Sequence, residues 1–390
     1  HQRAATLFRA FEGPMMQAAA PSLAGMTATV ARRPWLVPAM SPGKSLADAL
    51  DAQFTDPRLR QLFGRYATYV GGYPAASPAL LSLIWHAESQ GVWAVKGGMH
   101  GLARAMRTVA EAAGARFRFD TEVAALETES GAVTAIRTVD DRIEADAVIF
   151  NGDPRALTQG LLGPEVARVV PTNATAKRSL SAFVWSFAAR ATGRTPQHHN
   201  VFFGTVPNSE FDDIAQGRMP TDPTLYVCAQ DRGEAPDTIG PERFEIIMNG
   251  PPRPSTTPDP EEMARCRKTT FEMLDRMGLS FDPIPDTDAL ATPETFNTLF
   301  PGTDGSLYGL PPHGMMSAFR RPRARTEMSG LYLAGGGAHP GAGIPMATTS
   351  GKHAAEAILQ DRASTSPSRQ TATAGGMSTA SRRMVNMPSR

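Results

Sequence analysis

The sequence is poor in the residues that announce most site chemistries. Its 390 residues hold two cysteines, Cys228 and Cys266, and neither sits in a paired motif. A disulfide framework and a cysteine metal motif are therefore not expected, and both thiols read as buried bystanders. The formal net charge is +1, which leaves no basic footprint for nucleic acid. No run approaches the ~20 apolar residues of a membrane span, and no secretory signal opens the chain. The composition thus points to a soluble or peripherally bound intracellular protein. G-x-G-x-x-G and Walker loops are missing; the nearest approach, Gly335-x-Gly337-x-x-Pro340, has proline at the third glycine. G-x-S-x-G and H-E-x-x-H are missing too, which removes the serine-hydrolase and zinc-protease readings. The adjacent pair His198-His199 is not expected to hold a metal, because neighbours on a strand point to opposite faces.

What is present is concentrated in one run, Leu331-Tyr332-Leu333-Ala334-Gly335-Gly336-Gly337-Ala338-His339-Pro340-Gly341-Ala342-Gly343-Ile344-Pro345-Met346. Four apolar residues suit a strand covered on both faces. Five glycines over 335–343 let backbone approach a ligand closely. Pro345 suits a first helical turn. Ile344, Ala347, Gly351, Ala354, Ala355 and Ile358 then fall on one helical face. The N-terminus of such a helix offers free N–H groups and a positive dipole end to an anionic cofactor edge. The bland alternative is a plain glycine turn between strand and helix.

That run, with Gly91-Val92-Trp93 and Gly97-Gly98-Met99-His100, resembles the bacterial carotenoid desaturases, flavoproteins of the amine-oxidase-like superfamily. It is most like the branch that acts near the hydroxylated or methoxylated end of acyclic carotenoids. The resemblance covers about residues 1–360. It implies an α/β, Rossmann-like FAD-binding fold with an α+β substrate domain, N-terminally truncated, since members open on a dinucleotide fingerprint and this chain begins at His1. Weak or absent FAD binding is the resulting expectation for the chain on its own. The implied cofactor is FAD and the implied partners are an acyclic carotenoid and a membrane surface at the cytoplasmic side, with the electron acceptor left open. Other flavoproteins of the same fold, such as phytoene-type desaturases, remain alternatives, as do an inert fragment and a non-enzymatic isoprenoid binder.

By the same resemblance Gly335, Gly336 and Gly337 approach the FAD pyrophosphate and ribityl chain. Gly343, Ile344, Pro345 and Met346 lie under the isoalloxazine ring, and Val123 meets the adenine through its backbone. Gly97, Gly98 and Asp153 are weaker cofactor-side candidates. Desaturation needs an apolar tunnel more than a charged triad, so no strong catalytic signature is expected. His339 is the one weak acid–base candidate; holding the glycine loop by hydrogen bonds is its alternative role. His86 and Glu88 are the other polar groups near an expected channel, with a solvated helix end the favoured reading.

The expected flavin domain comprises 93–164 and 326–362, and the substrate and membrane-contact domain 1–92 and 165–325. The Ser/Thr/Arg/Gly-rich tail 363–390 reads as disordered. Capping signals stand at Ser45-x-x-Asp48, Asp56-Pro57 and Asp259-Pro260. Leu59, Leu62, Phe63, Tyr66, Tyr69 and Val70 predict one helical face. Strands are expected at 92–95, 116–119, 122–126, 132–139 and 147–150, and a mostly antiparallel sheet over 180–250. Helix 79–88 is apolar nearly all round; burial is its default, while it and the first twenty residues are the candidate lipid contacts. Arg320, Arg321, Arg323 and Arg325 read as a solvated connector, with lipid headgroups as the other option.

Overall fold

A computed structural model describes residues 1–233 and 240–365. Its first ninety residues are helical. Helix α1 (Gln2–Phe11) buries Leu7 and Phe11, which pack with Leu36, Met40 and Leu83 in one cluster. Helix α2 (Leu23–Ala31) is capped by Ser22, whose Oγ accepts from the Gly25 N–H at 3.0 Å, and buries no residue. The capping box at Ser45 and Asp48 forms as expected. So does the Asp56 cap before Pro57–Gly64. The single apolar face expected beyond it does not form. The chain tightens to a 3-10 turn over Arg65–Val70, whose faces advance 120° per residue instead of 100°. Tyr66 is thereby buried while Leu59 and Leu62 are exposed.

Next comes α3 (Gly98–Ala112), amphipathic in sequence yet with no buried residue. Its apolar side, including the 71% exposed Val109, has no partner among the described residues. The strands expected at 92–95 and 116–119 do not form either; a strand requires a ladder partner, and none reaches them among the described residues. Strands β1 (Val123–Glu129), β2 (Ala132–Thr138) and β3 (Arg142–Glu144) make an antiparallel meander. Its first turn sets both Ser130 (φ 50°) and Gly131 (φ 79°) in the left-handed region that a tight hairpin demands. Strand β4 (Val148–Phe150) leads through Asp153, which caps α4 (Pro154–Thr158).

The six-stranded sheet has the order β10-β5-β8-β7-β6, with β9 paired to the far end of β5. Its strands are β5 (Ser181–Gly193), β6 (His199–Phe202), β7 (Leu225–Ala229), β8 (Glu242–Gly250), β9 (Leu279–Asp282) and β10 (Leu290–Ala291), all antiparallel as expected. Helix α5 (Pro260–Arg276), capped by Asp259, covers one face. Cys266, Phe271 and Leu274 meet Trp185, Val227 and Ile246 in the largest core.

Finally β11 (Leu331–Leu333) lies parallel to β4, with Leu331 opposite Val148 and Leu333 opposite Phe150, and α6 (Ile344–Thr365) returns across the pair. Ala354 and Ala357 pack on Tyr332 and Ala334. The buried face is Ser350, His353, Ala354 and Ala357, rotated from the expected one, and Ile344 and Ala355 are exposed. The core around β4 and β11 also runs past residue 164: Val166, Val169, Val170 and Ala174 join Leu126, Val148 and Leu333. Helix α6 passes residue 362, and the remainder of the tail, 366–390, lies outside the described residues.

Candidate functional site

The turn between β11 and α6 is built by internal contacts as much as by openness. Gly335 has φ +100°, and a side chain there would meet Asn151 Oδ1 at 2.5 Å. Its N–H donates to Ser350 Oγ at 2.7 Å. A side chain on Gly337 would meet Pro154 Cδ at 2.6 Å. These two glycines are needed where the loop presses on the end of β4. Gly343 differs: its φ is +96° and a side chain would meet nothing within 4 Å. It opens into a cavity.

That cavity measures about 450 Å³ and is bounded by α1, the segment 78–87, the strap 310–319 and the loop 339–346. Its walls are apolar and unusually rich in thioethers: Met15, Met16, Met26, Met40, Met315 and Met346 all contribute. Flexible Met side chains fit irregular, elongated apolar ligands. The walls include Gly343, Pro345, Met346 and His339, but not Ile344, Val123, Gly97 or Gly98. Gly97 and Gly98 have φ of 78° and 70°, with open space where side chains would stand. Val123 is partly exposed at the head of β1.

Asp153 is spent locally. It accepts from the Arg155 N–H as helix cap and pairs with Arg178, both side chains buried. It still abuts the loop, with its Cα 3.8 Å from the side-chain position of Gly337. His339 is buried, and its Nε2 lies 2.8 Å from the Ala18 carbonyl, to which it donates. His353 does the same to Gln17 O at 3.0 Å, and the two rings stack at 5.9 Å. Burial pushes His339 down to about 4, so the ring is neutral near pH 7. Both imidazoles tie the end of the first helical segment to the loop and to α6. His86 is buried against His1 and Phe8 rather than solvated, and Glu88 lies beside Tyr66.

The group that sequence reasoning missed is Arg321. It is no connector residue: its guanidinium is buried and donates to Tyr308 O at 3.0 Å, Gly336 O at 2.6 Å and Leu310 O at 2.6 Å. Arg323 reaches Pro21 O at 3.2 Å and Arg325 pairs with Asp361, so the run is not a headgroup patch. Only the isolated Arg-Pro-Arg spacing hinted at separate roles. Burial pushes Arg321 down to about 10, with Asp153 opposing, and it remains a cation near neutral pH.

The arrangement suits a flavin dinucleotide. Gly336 and Gly343 leave room for close backbone approach, and the N-terminal N–H groups of α6 and the buried Arg321 supply positive potential. The adjoining apolar cavity is where a hydrocarbon would meet it.

Comparison with known proteins agrees. Residues 39–242 and 260–359 match the family described as flavin containing amine oxidoreductase. The chain is 52% identical to the hydroxyneurosporene desaturase of Cereibacter sphaeroides over 370 residues, 94% of this chain and 74% of that one. It is 51% identical to the hydroxyneurosporene desaturase of Rhodobacter capsulatus, over 92% of this chain and 72% of that one. It also superposes on an oxidoreductase from Methanosarcina mazei with a TM-score of 0.52 at 17% identity, covering 86% of this chain and 70% of that one, a likeness of fold. The chain belongs to the flavin containing amine oxidoreductase family, with FAD as its cofactor.

Proposed function

We propose that the protein is an FAD-dependent desaturase that introduces a carbon–carbon double bond into a hydroxylated acyclic carotenoid. The carrying observation is the methionine-rich cavity that ends on the glycine loop and on the first turn of α6. Bound FAD supplies the acceptor for the hydrogens removed from the substrate. The chain's own residues hold the polyene straight, exclude water and fix the loop. Gly336, Gly343, Ile344, Pro345 and Met346 take the flavin side through backbone atoms. Gly335 and Gly337 shape the loop, with Asp153 behind it. Gly97, Gly98 and Val123 form an outer group that serves the nucleotide end.

Delivery of so apolar a substrate requires a lipid surface. No helix among the described residues is long and apolar enough to cross a membrane. The first twenty residues and 79–88 commit Leu7, Phe11 and Leu83 to a core, which leaves them less apolar surface to offer lipid. Residues 23–37 are the better contact surface. Helix α2 has no fully buried residue, Trp35 is 66% exposed, and Arg32 and Arg33 stand beside it for headgroups. Met26 and Met40, on and just past this segment, line the cavity, which makes it a doorway.

The test is direct. Purified protein with excess FAD is mixed with vesicles that carry hydroxyneurosporene, and the pigment is followed by absorption and chromatography. A product with a longer conjugated polyene is expected. Unchanged pigment in the presence of bound FAD overturns the assignment.

A further inference from the structure

A second cluster lies on the six-stranded sheet, where β6 is the edge strand. His199 stands opposite Cys228 on β7, and Cys228 stands opposite Glu245 on β8. Directly opposed residues of an antiparallel ladder share one face, so an imidazole, a thiol and a carboxylate line up across three strands. His198 precedes β6 and is free of its alternation. Its ring turns back beside that of His199, with centroids 4.2 Å apart. This corrects the expectation that neighbouring histidines diverge: one of the two lies outside the regular strand. One nitrogen from each ring and the Cys228 sulfur all lie within 4.8 Å of one another.

The hydrogen bonding of the two rings points the same way. His198 Nδ1 lies 2.9 Å from Ala229 O, and His199 Nδ1 lies 2.7 Å from Tyr226 Oη. Neither Nε2 has a hydrogen-bond partner among the described residues. Metal-ligating histidines are held in this manner, with one ring nitrogen committed to a carbonyl or hydroxyl and the other left for the ion. Tetrahedral coordination by two nitrogens and a sulfur needs ligand atoms about 3.3–3.8 Å apart. Closure of about 1 Å from the observed spacing achieves this, and small side-chain rotations suffice because His199 is exposed.

We propose that His198, His199 and Cys228 form a site for a borderline divalent transition metal of the zinc class, with water or Glu245 in the fourth position. Two imidazoles and a thiolate select such an ion over Mg²⁺ or Ca²⁺. Its effect is to staple the edge strand β6 to β7, at a place where an unprotected edge invites opening.

The probe is Co²⁺, titrated into the chelator-treated protein. Expected is one equivalent bound, with the intense visible bands of tetrahedral cobalt and a cobalt–thiolate charge-transfer band, all displaced by Zn²⁺. Cys228→Ser removes the charge-transfer band. His199→Asn, at an exposed position that tolerates change, weakens binding by at least ~10-fold. Tyr226→Phe keeps the band but weakens binding, because it loosens only the ring's support. Far-ultraviolet dichroism confirms that each variant is folded. The proposal fails if no thiolate band appears at one equivalent, if the band persists in Cys228→Ser, or if His199→Asn binds as tightly as the parent.

Discussion

Arg321 donates from Nη1 to the Gly336 carbonyl oxygen at 2.6 Å, from within the protein interior. The same guanidinium holds Tyr308 O and Leu310 O, so a single side chain fastens the strap over the cavity to the middle of the glycine loop. No carboxylate among the described residues pairs with it directly; the neighbouring Asp153 is engaged by Arg178. Arg321→Met leaves three inward carbonyls without their donor and should cost about 3 kcal/mol or more in urea unfolding. Arg321→Lys retains the charge but not the fork geometry, and should lose part of the stability and most of the FAD affinity. Unchanged melting of both variants would show that water replaces the guanidinium.

Gly337 and Gly343 separate packing from ligand space. Gly337→Ala forces a methyl to within 2.6 Å of Pro154 and should cost about 1–3 kcal/mol of stability. The β-carbon added by Gly343→Val has no described protein atom within 4 Å. The variant pays about 1–2 kcal/mol for its left-handed backbone, and its main effect should be at least a tenfold loss of FAD affinity, read by flavin fluorescence. Equal FAD affinity in parent and Gly343→Val would move the flavin away from this turn.

The buried His339 and the half-buried His313, on the strap over the cavity, are both pushed down to about 4 by desolvation. An unfolded chain protonates them near the ordinary value of about 6.5. It therefore binds more protons than the folded chain between these values, and stability falls as pH drops from about 6.5 toward 4. Above about 6.5 this contribution is fully retained. Urea midpoints should decline across that window. His339→Gln, which keeps a donor for Ala18 O, should flatten the decline. An identical slope in the parent and in a His339→Gln/His313→Gln double variant would assign the effect to other groups.

The doorway reading of 23–37 predicts binding to anionic vesicles that depends on Trp35, Arg32 and Arg33. Reversal of the two arginine charges to Glu should weaken sedimentation with phosphatidylserine vesicles by about tenfold or more, at ~1 kcal/mol per charge. Trp35→Ala should reduce binding to neutral vesicles as well. Vesicle binding that ignores both changes would place the membrane face elsewhere.

Local chemistry was readable where it is short in range. The caps at Ser45, Asp56, Asp153 and Asp259, the Ser130-Gly131 hairpin and the strand–glycine–helix run at 331–346 form as their residues imply. The cavity was foreseeable only as a need for apolar surface. That the methionines of 15, 26, 40, 315 and 346 converge on one volume depends on how distant segments meet. Strands at 92–95 and 116–119 failed for a related reason: alternation states what a segment can do, whereas pairing requires a neighbour.

The sequence by itself determined the family, the flavin chemistry and the glycine turn, because these rest on residue types at fixed short spacing. Tertiary structure decided which glycines serve packing and which serve space, turned Arg321 from a surface charge into an internal clasp, and brought His198, His199 and Cys228 together. Each of these depends on contacts between residues far apart in the chain, or on a break in regular geometry. Burial and proximity of that kind are properties of the folded chain as a whole.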